Sequence, residues 1–290
     1  MAWLQLTLSG IALGCIYALI ALGFVMIYKA TETVNFAQGE FMMLGAFAAL
    51  LLTALGLPFW AAALLAVAGM AGFGALVERL AVRPILGQPQ FTVVMPTIGM
   101  GYVMRGAVTM VPGFGAETHA LAVPYAGKVI AAGGLVLSAE QVAVIGATAL
   151  LCALLYAGFR FSKAGIAMQA SSQNQLAAYY MGIPVRRLNG LVWGLSAAVA
   201  ALAGLLLAPI TFVHANMGLL GLKAFPAAVV GGFGSLPGAV VGGLVIGLVE
   251  SFAGFYLPEG FKDVAAYVVV LLMLAIRPNG LFGGNERKRV

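Results

Sequence analysis

The stretch FRFSKAGIAMQASSQNQLAAYYMGIPVRRLNG, residues 159–190, is the longest part of this chain that cannot lie inside a lipid bilayer. Its basic residues are Arg160, Lys163, Arg186 and Arg187. Between these flanks there is no acidic residue. Residues 165–180 combine strong helix formers without a breaker, and Gly182 and Pro184 are residues that end helices. The pattern predicts one short helix with basic flanks, presented to the cytoplasm between two membrane spans.

The composition places the rest of the chain in a membrane. Only 8% of the 290 residues are charged, against about 25% in an ordinary soluble domain. The mean hydropathy is +1.05, and apolar runs of about 20 residues recur, which is enough to cross a hydrocarbon core of roughly 30 Å. The N-terminal MAWLQLTLSG has neither a basic stretch nor a small-residue cleavage site, so we expect an uncleaved first span. We therefore predict a single all-α polytopic membrane domain over residues 1–290.

Nine apolar segments are candidate membrane crossings. They cover residues 4–28, 36–55, 60–80, 91–111, 139–159, 188–212, 223–232, 239–255 and 264–276. The segment 223–232 is short and is followed by Gly, Ser and Pro, so the count falls to eight if this segment is re-entrant. On the outer side, residues 112–138 form the longest connection. Alternation in 121–130 and 135–138, joined by Gly133 and Gly134, predicts a small periplasmic β-hairpin there.

The distribution of basic residues sets the expected orientation. Eleven of the fifteen fall on one side of this topology: Lys29, Arg79, Arg83, Arg160, Lys163, Arg186, Arg187, Arg277, Arg287, Lys288 and Arg289. Lys128 and Lys262 fall on the other side. Because basic residues favour the cytoplasmic side, we expect a cytoplasmic C-terminus and a periplasmic N-terminus. The same placement argues against nucleic acid as a partner.

Two interrupted segments, 31–39 and 225–238, should lie at membrane depth, where irregular backbone is tolerated only beside protein or a water-filled cavity. The polar residues Asn35, Gln38 and Glu40 either line a pathway or satisfy a helix N-terminus, with Asn35 as the possible N-cap. Arg105 is expected to extend to the outer surface. Glu250 is a candidate partner for Lys223 or Arg105.

Several kinds of chemistry have no basis in the sequence. The two histidines, His119 and His214, and the two cysteines, Cys15 and Cys152, are too scattered to form a metal site. The sequence contains neither a nucleophile motif nor a Gly-x4-Gly-Lys-Ser/Thr phosphate loop. We therefore expect a non-enzymatic protein without a cofactor of its own. A transporter driven by ATP would need its ATPase on another chain, and the basic-flanked helix is the surface where that chain would dock.

The ordered motifs of the chain are similar to those of branched-chain amino acid ABC importer permeases of the LivH type. The segments that carry the similarity are Asn35-Phe36-Ala37-Gln38-Gly39-Glu40, Met181-Gly182-Ile183, Gly221 to Phe225, Val230 to Gly238 and Arg277 to Gly283. The resemblance implies a bacterial inner-membrane permease that pairs with a second, LivM-like permease. Two cytoplasmic ATPases would bind the ATP, and a periplasmic solute-binding protein would dock outside. The implied fold is that of the vitamin B12-type (type II) permeases without their first helix, surrounded by membrane lipid.

Two sets of site residues follow. The ATPase-coupling segment, Arg160 to Arg187, would act through Arg160, Lys163, Gly165, Met168, Gln169, Gln173, Ala177, Met181, Gly182 and Ile183. Within it, Met168, Leu176, Ala177 and Met181 are expected to share one apolar helical stripe. The translocation pathway would involve Asn35, Gln38, Gly39, Glu40, Phe225, Gly232, Gly234 and Glu250.

The substrate is left open among several small solutes. Branched-chain amino acids are the leading prediction, and urea, short amides and aromatic acids are alternatives within the same family. A stand-alone secondary transporter or channel is an alternative of another class. It would need a coupling carboxylate at mid-membrane, for which Glu40 and Glu250 are the candidates.

Overall fold

The computed structural model describes residues 2–113, 115, 117–132, 135–258 and 260–283. In this part of the chain the helices are α1 Ala2–Thr31, α2 Gln38–Ala54, α3 Phe59–Val77, α4 Gln90–Thr109, α5 Ala139–Phe161, α6 Lys163–Gln173, α7 Gln175–Tyr180, α8 Val185–Thr211, α9 Met217–Leu222, α10 Phe225–Gly231, α11 Leu236–Tyr256 and α12 Phe261–Ile276. A π turn, Glu78–Val82, and a 3-10 turn, Arg83–Ile85, extend α3. Two strands, β1 Val129–Ala132 and β2 Leu135–Ser138, complete the described structure.

Six helices in the described part of the chain are long and apolar enough to cross a membrane. They are α1, α3 with its extension, α4, α5, α8 and α11. The apolar α2 and the α9–α10 region are shorter. The most buried helices, α1 and α8, form the centre of the bundle, whereas α3, α4 and α5 keep most of their surface outside the packed core.

Small residues allow α1 and α11 to pack with their backbones in contact. A Cβ on Gly247 would collide with the backbone of Gly14, and a Cβ on Gly243 would collide with Ala18. At the ends of the same pair, Trp3 of α1 lies against Tyr256 of α11, with ring centroids 5.4 Å apart. The two helices are therefore antiparallel, and close approach between them depends on glycine.

An antiparallel strand pair lies where the sequence predicts a hairpin, but its first strand is shorter than predicted. β1 and β2 pair antiparallel, with Val129 opposite Ser138 and Ala132 opposite Leu135. The first strand does not extend back through 121–128, because Pro124 lacks an amide hydrogen and lies in a turn closed by the bond from Ala126 N to Val123 O (3.1 Å). The predicted joint, Gly133 and Gly134, lies outside the described residues.

The C-terminal segment returns to the junction between α10 and α11. Leu281 N donates to Val230 O (2.9 Å), and Phe282 N donates to Gly231 O (3.2 Å). At this junction Gly232 has φ +95°, a left-handed conformation that favours glycine. Backbone hydrogen bonds thus attach the C-terminal segment to the end of α10. Arg287, Lys288 and Arg289 lie outside the described residues.

Candidate translocation and coupling sites

The segment between α1 and α2 turns back into the interior of the bundle. α1 ends at Thr31, yet Gln38 lies beside Gly23, eight residues earlier, or about 12 Å along a helix. Ser196 of α8 fixes this position: its hydroxyl donates to Gln38 Oε1 (3.0 Å), and its carbonyl accepts from Gln38 Nε2 (3.2 Å). Residues 32–37 therefore run alongside α1, and α2 begins inside the bundle.

Asn35 does not cap α2, contrary to the expectation from sequence. The N-cap position is Ala37, which has no side-chain cap. Asn35 Oδ1 accepts from Ala37 N (3.1 Å), and its amide donates to Gln38 Oε1 (3.4 Å). Asn35 lies two residues before the N-cap position. Its fully buried side chain therefore hydrogen-bonds within the turn that precedes α2 and does not cap the helix.

Glu40 and Arg105 form an ion pair between α2 and α4. The prediction that Arg105 extends to the outer surface is wrong, because its side chain is only 19% exposed and turns toward the first turn of α2. Glu40 Oε2 and Arg105 Nε are buried, and each has no hydrogen-bond partner among the described residues. The interior of the bundle therefore contains a carboxylate and a guanidinium whose bonding capacity is only partly used.

A second polar contact joins α4 to the re-entering segment. Thr97 Oγ1 accepts from Phe36 N (3.1 Å). On the opposite side of α4, Tyr102 and Val103 are about 70% exposed. α4 is thus attached to the bundle mainly along one face.

Glycines bring α9 against the start of α2. A Cβ on Gly39 would collide with the carbonyl oxygen of Gly218, and a Cβ on Gly221 would collide with Cα of Gly39. A Cβ on Gly218 would fall on the carboxylate of Glu40. Gly39, at the end of the first interrupted segment predicted from sequence, therefore packs on α9 beside the ion pair. The two predicted segments meet close by, where Phe36 lies against Phe225.

Aromatic rings continue from this meeting point. Phe225 lies 5.6 Å from Phe36 and 5.6 Å from Phe233, and Phe233 lies 5.0 Å from Tyr28, measured between ring centroids. These four rings are half-buried. Phe225 thus belongs to the predicted cluster. Gly232 instead packs on the C-terminal segment, and Gly234 is exposed with nothing within 4 Å of where its Cβ would be.

Glu250 lies at a different interface. Tyr17 of α1 donates its hydroxyl to Glu250 Oε2 on α11 (2.5 Å). Neither predicted partner reaches it, since Lys223 pairs with Asp263 and Arg105 pairs with Glu40. The contact is between two closely packed helices, which gives Glu250 a place in the α1–α11 interface.

The coupling segment contains two helices, not the single helix predicted. Asn174 adopts an extended conformation after α6, and its Oδ1 accepts from Ala177 N (2.9 Å) at the start of α7. An asparagine whose side chain caps a helix N-terminus favours the start of a new helix over continuation of the preceding one. Because of this break, Met168 packs toward the core while Leu176, Ala177 and Met181 face outward, so the predicted common stripe does not form.

Some of the remaining predicted coupling residues contact other parts of the chain, and the others are exposed at the surface. Arg160 lies over the rings of Tyr156 and Phe161, and Gln169 Nε2 donates to Phe159 O (2.9 Å). Gly165 is buried against the end of α5, and Ile183 is half-buried. Lys163, Gln173 and Gly182 are exposed.

An exposed patch, defined here as the α7 patch, consists of Leu176, Tyr179, Tyr180 and Met181. These side chains are 63–83% exposed. Apolar and aromatic side chains clustered at a surface mark an interaction site. Sequence reasoning did not identify the two tyrosines, although the helical spacing with Leu176 and Met181 was available.

Contacts from α7 and α4 to the end of α1 were also not predicted. Gln175 Nε2 donates to Ala30 O (2.8 Å), and Gln90 Nε2 donates to Glu32 O (3.4 Å). A polar cavity of about 460 Å³ lies between these contacts, lined in part by Thr33 and Gln173. No motif signals such bonds, because their acceptors are main-chain carbonyls.

Replacing Asn174 by alanine is expected to loosen α7. Loss of an N-cap costs about 1 kcal/mol, so amide exchange at Ala177 and Ala178 should accelerate about fivefold, as measured by hydrogen–deuterium exchange with mass spectrometry. Asn174→Ser, which can also cap, is the matched control and should exchange like the wild type. Equal exchange in the alanine and serine variants would contradict the capping role.

Comparison with known proteins identifies the family. Residues 6–276 match the family described as branched-chain amino acid transport system / permease component. The chain is 33% identical to the Escherichia coli K12 high-affinity branched-chain amino acid transport system permease protein LivH, covering 99% of this chain and 98% of the relative. It is 32% identical to the Pseudomonas aeruginosa permease protein BraD, with the same coverage.

A relative with lower sequence identity and a solved structure also match this chain over most of its length. The Methanocaldococcus jannaschii protein named as a probable branched-chain amino acid transport permease protein LivH is 30% identical over 93% of this chain and 89% of its own length. A chain in the structure titled "PsaBC from Streptococcus pneumoniae in complex with Fab" superposes with a TM-score of 0.50 at 15% identity. That match covers 94% of this chain and 92% of the other, and it shows similarity of fold. On the family match and the near full-length identities, this chain belongs to the family of branched-chain amino acid transport system permease components.

Proposed function

We propose that this chain forms half of the translocation pathway of an ATP-driven importer for branched-chain amino acids in a bacterial inner membrane. The relatives' names supply the substrate class. The observation that carries the proposal is the packing of α9 on the start of α2 at Gly218 and Glu40, together with the contact of Phe36 and Phe225 between the two interrupted segments, where polar and aromatic groups lie together inside an apolar bundle. Such a mixed lining suits a small amphipathic solute.

The proposed assembly contains a second, LivM-like permease, two ABC ATPases and a periplasmic solute-binding protein. The exposed α7 patch supports ATPase docking, since Tyr179, Tyr180 and Met181 would be desolvated by a partner and are not covered by the described chain. ATP would be bound by the partner subunits. This chain would contribute no covalent chemistry and no cofactor.

The proposed topology has nine crossings, with α9 and α10 together forming one of them. α9–α10 connects two opposite ends of the bundle. One end is joined to the long outer loop by the bridge between His119 and Val213, and the other meets Leu281 of the C-terminal segment. This path supports a periplasmic N-terminus and hairpin and a cytoplasmic C-terminus, as in a type II permease lacking its first helix.

The contacts of the coupling segment suggest how force would travel. Movement of α7 would act on the end of α1 through Gln175, and α4 would respond through Gln90, which bonds to Glu32. Both contacts adjoin residues 32–37, which lead to Glu40. Closure of the ATPases would thus reorient the segment that carries the polar groups of the pathway.

The experiment that tests the proposal is uptake of labelled leucine into proteoliposomes containing this chain with its partner permease, ATPases and binding protein. Uptake should require ATP and every subunit. Leucine transport by the purified single chain without ATPases would contradict the proposal and favour a stand-alone secondary transporter or channel. Competition by urea, short amides or aromatic acids but not by valine or isoleucine would reassign the substrate.

A further inference from the structure

The ion pair of Glu40 and Arg105 joins α2 and α4 at a high desolvation free energy. The desolvation penalty of a buried ion pair can exceed its Coulombic gain, and replacing such a pair by apolar residues of similar volume is often neutral or stabilising. Charges retained in a membrane interior therefore point to a role beyond packing. Glu40 is 95% buried, so this argument applies to it with full force.

Both partners retain unused bonding capacity. A carboxylate can accept several hydrogen bonds and a guanidinium can donate five, yet Glu40 Oε2 and Arg105 Nε bond to nothing among the described residues. The buried Glu40 carboxylate lies against Gly218, and Gly101 of α4 also faces the Glu40 side chain. The missing side chain of Gly218 makes room for the carboxylate itself, so a ligand would reach the two charged groups by displacing this backbone contact.

The surroundings divide into a charged part and an apolar part. Phe36, whose amide is bonded to Thr97 of α4, lies four residues before Glu40 and begins the row of half-buried rings through Phe225 and Phe233. A ligand bound to the ion pair could therefore place an aliphatic side chain against these rings. One positive charge, one negative charge and an adjoining apolar surface are complementary to an α-amino acid zwitterion.

Resting on the proposed function, we propose that Glu40 and Arg105 bind the two charged ends of a zwitterionic α-amino acid during its passage. The carboxylate of Glu40 receives the substrate ammonium, and the guanidinium of Arg105 receives the substrate carboxylate. In the structure the two residues neutralise each other. When the zwitterion binds, its ammonium replaces Arg105 as the partner of Glu40, and its carboxylate replaces Glu40 as the partner of Arg105. Because this exchange conserves the net charge of the site, no charge is left unpaired before or after it.

The test uses two leucine analogues that each keep one charge. 4-Methylpentanoate has the carboxylate without the ammonium, and 3-methylbutylamine has the ammonium without the carboxylate. Equilibrium binding of each labelled analogue is measured on the complete complex in nanodiscs, for the wild type, Glu40→Gln and Arg105→Gln. Glu78→Gln is the matched control, because Glu78 is also a buried carboxylate paired with an arginine, Arg83, but at the end of α3.

The expected result is reciprocal. Glu40→Gln leaves Arg105 unpaired and should bind 4-methylpentanoate about tenfold more tightly than the wild type. Arg105→Gln leaves Glu40 unpaired and should gain affinity for 3-methylbutylamine by a similar factor. Both variants should lose leucine uptake, and Glu78→Gln should gain affinity for neither analogue.

Several outcomes would overturn the proposal. Identical analogue binding by all variants would do so, as would full leucine uptake by the neutral double variant Glu40→Gln/Arg105→Gln, since the pair would then only attach α4. Should a neutral variant fail to assemble, Arg105→Lys is informative: it keeps the charge and should bind leucine without gaining affinity for the amine. If the wild type takes up leucine but the variants do not show the reciprocal gains in analogue affinity, this inference alone is overturned. If the wild type takes up no leucine, the proposed function is overturned.

Discussion

Gly182→Arg is expected to reduce leucine uptake by the reconstituted complex about tenfold, equivalent to about 1.4 kcal/mol of lost coupling. Gly182 ends α7 next to the exposed Met181, and no atom lies within 4 Å of where its Cβ would be. The arginine side chain therefore meets no packed neighbour inside the permease. It places a long cation on the surface where we propose that the ATPase docks, so ATP hydrolysis should continue while uptake falls.

Gly182→Ala is the matched control for this variant. Gly182 has φ +81°, so any L-residue there carries a backbone penalty of roughly 1–2 kcal/mol. Alanine shares that penalty without the length or charge of arginine, and should keep uptake within about threefold of the wild type. If both variants lost uptake equally, strain in α7 and not docking would be the cause. Unchanged uptake with arginine would place the docking surface elsewhere.

Gly39→Ala is expected to lower the thermal unfolding midpoint of the purified permease in detergent by about 5 °C. The added methyl group would meet the carbonyl oxygen of Gly218, and overpacking of this kind costs typically 1–3 kcal/mol. For a chain of this size, each kcal/mol shifts the midpoint by about 2–4 °C. The transition can be followed by tryptophan fluorescence, since Trp193 is fully buried.

Gly69→Ala provides the comparison for Gly39→Ala. Gly69 lies within α3, and nothing is within 4 Å of where its Cβ would be. Alanine has the higher helix propensity, by about 1 kcal/mol, so the midpoint should stay the same or rise. A fall of equal size in both variants would show that loss of glycine, and not the α2–α9 contact, determines stability.

Most of the predicted apolar segments coincide with helices because each is encoded locally, and within the described residues six of these helices are long enough to cross a membrane. Transfer of a helix into lipid is a sum over its own residues, so hydropathy and length locate it without knowledge of its neighbours. The boundaries of α4 and α5 accordingly fall within two residues of those predicted. The capping box of Ser138 and Gln141, which starts α5, is equally local.

The coupling segment shows where local reasoning fails at short range. Residues 165–180 contain no proline, and their only glycine is at the first position, so an uninterrupted helix was expected. Asn174 can either continue a helix or cap a new one. In the structure it caps α7, and the next residue, Gln175, donates a hydrogen bond to the carbonyl of Ala30. Propensity differences of a few tenths of a kcal/mol are readily outweighed by such tertiary contacts.

By itself the sequence determined the class of the protein, its family, its apolar segments and the two places where those segments are interrupted. Tertiary structure alone decided the pairing of Glu40 with Arg105, 65 residues away, and of Tyr17 with Glu250, 233 residues away. Helices apolar on nearly all sides give no sequence signal for which face meets which neighbour. That choice is made by backbone contact at glycines such as Gly39 and Gly247, whose effect is visible only once the helices are packed together.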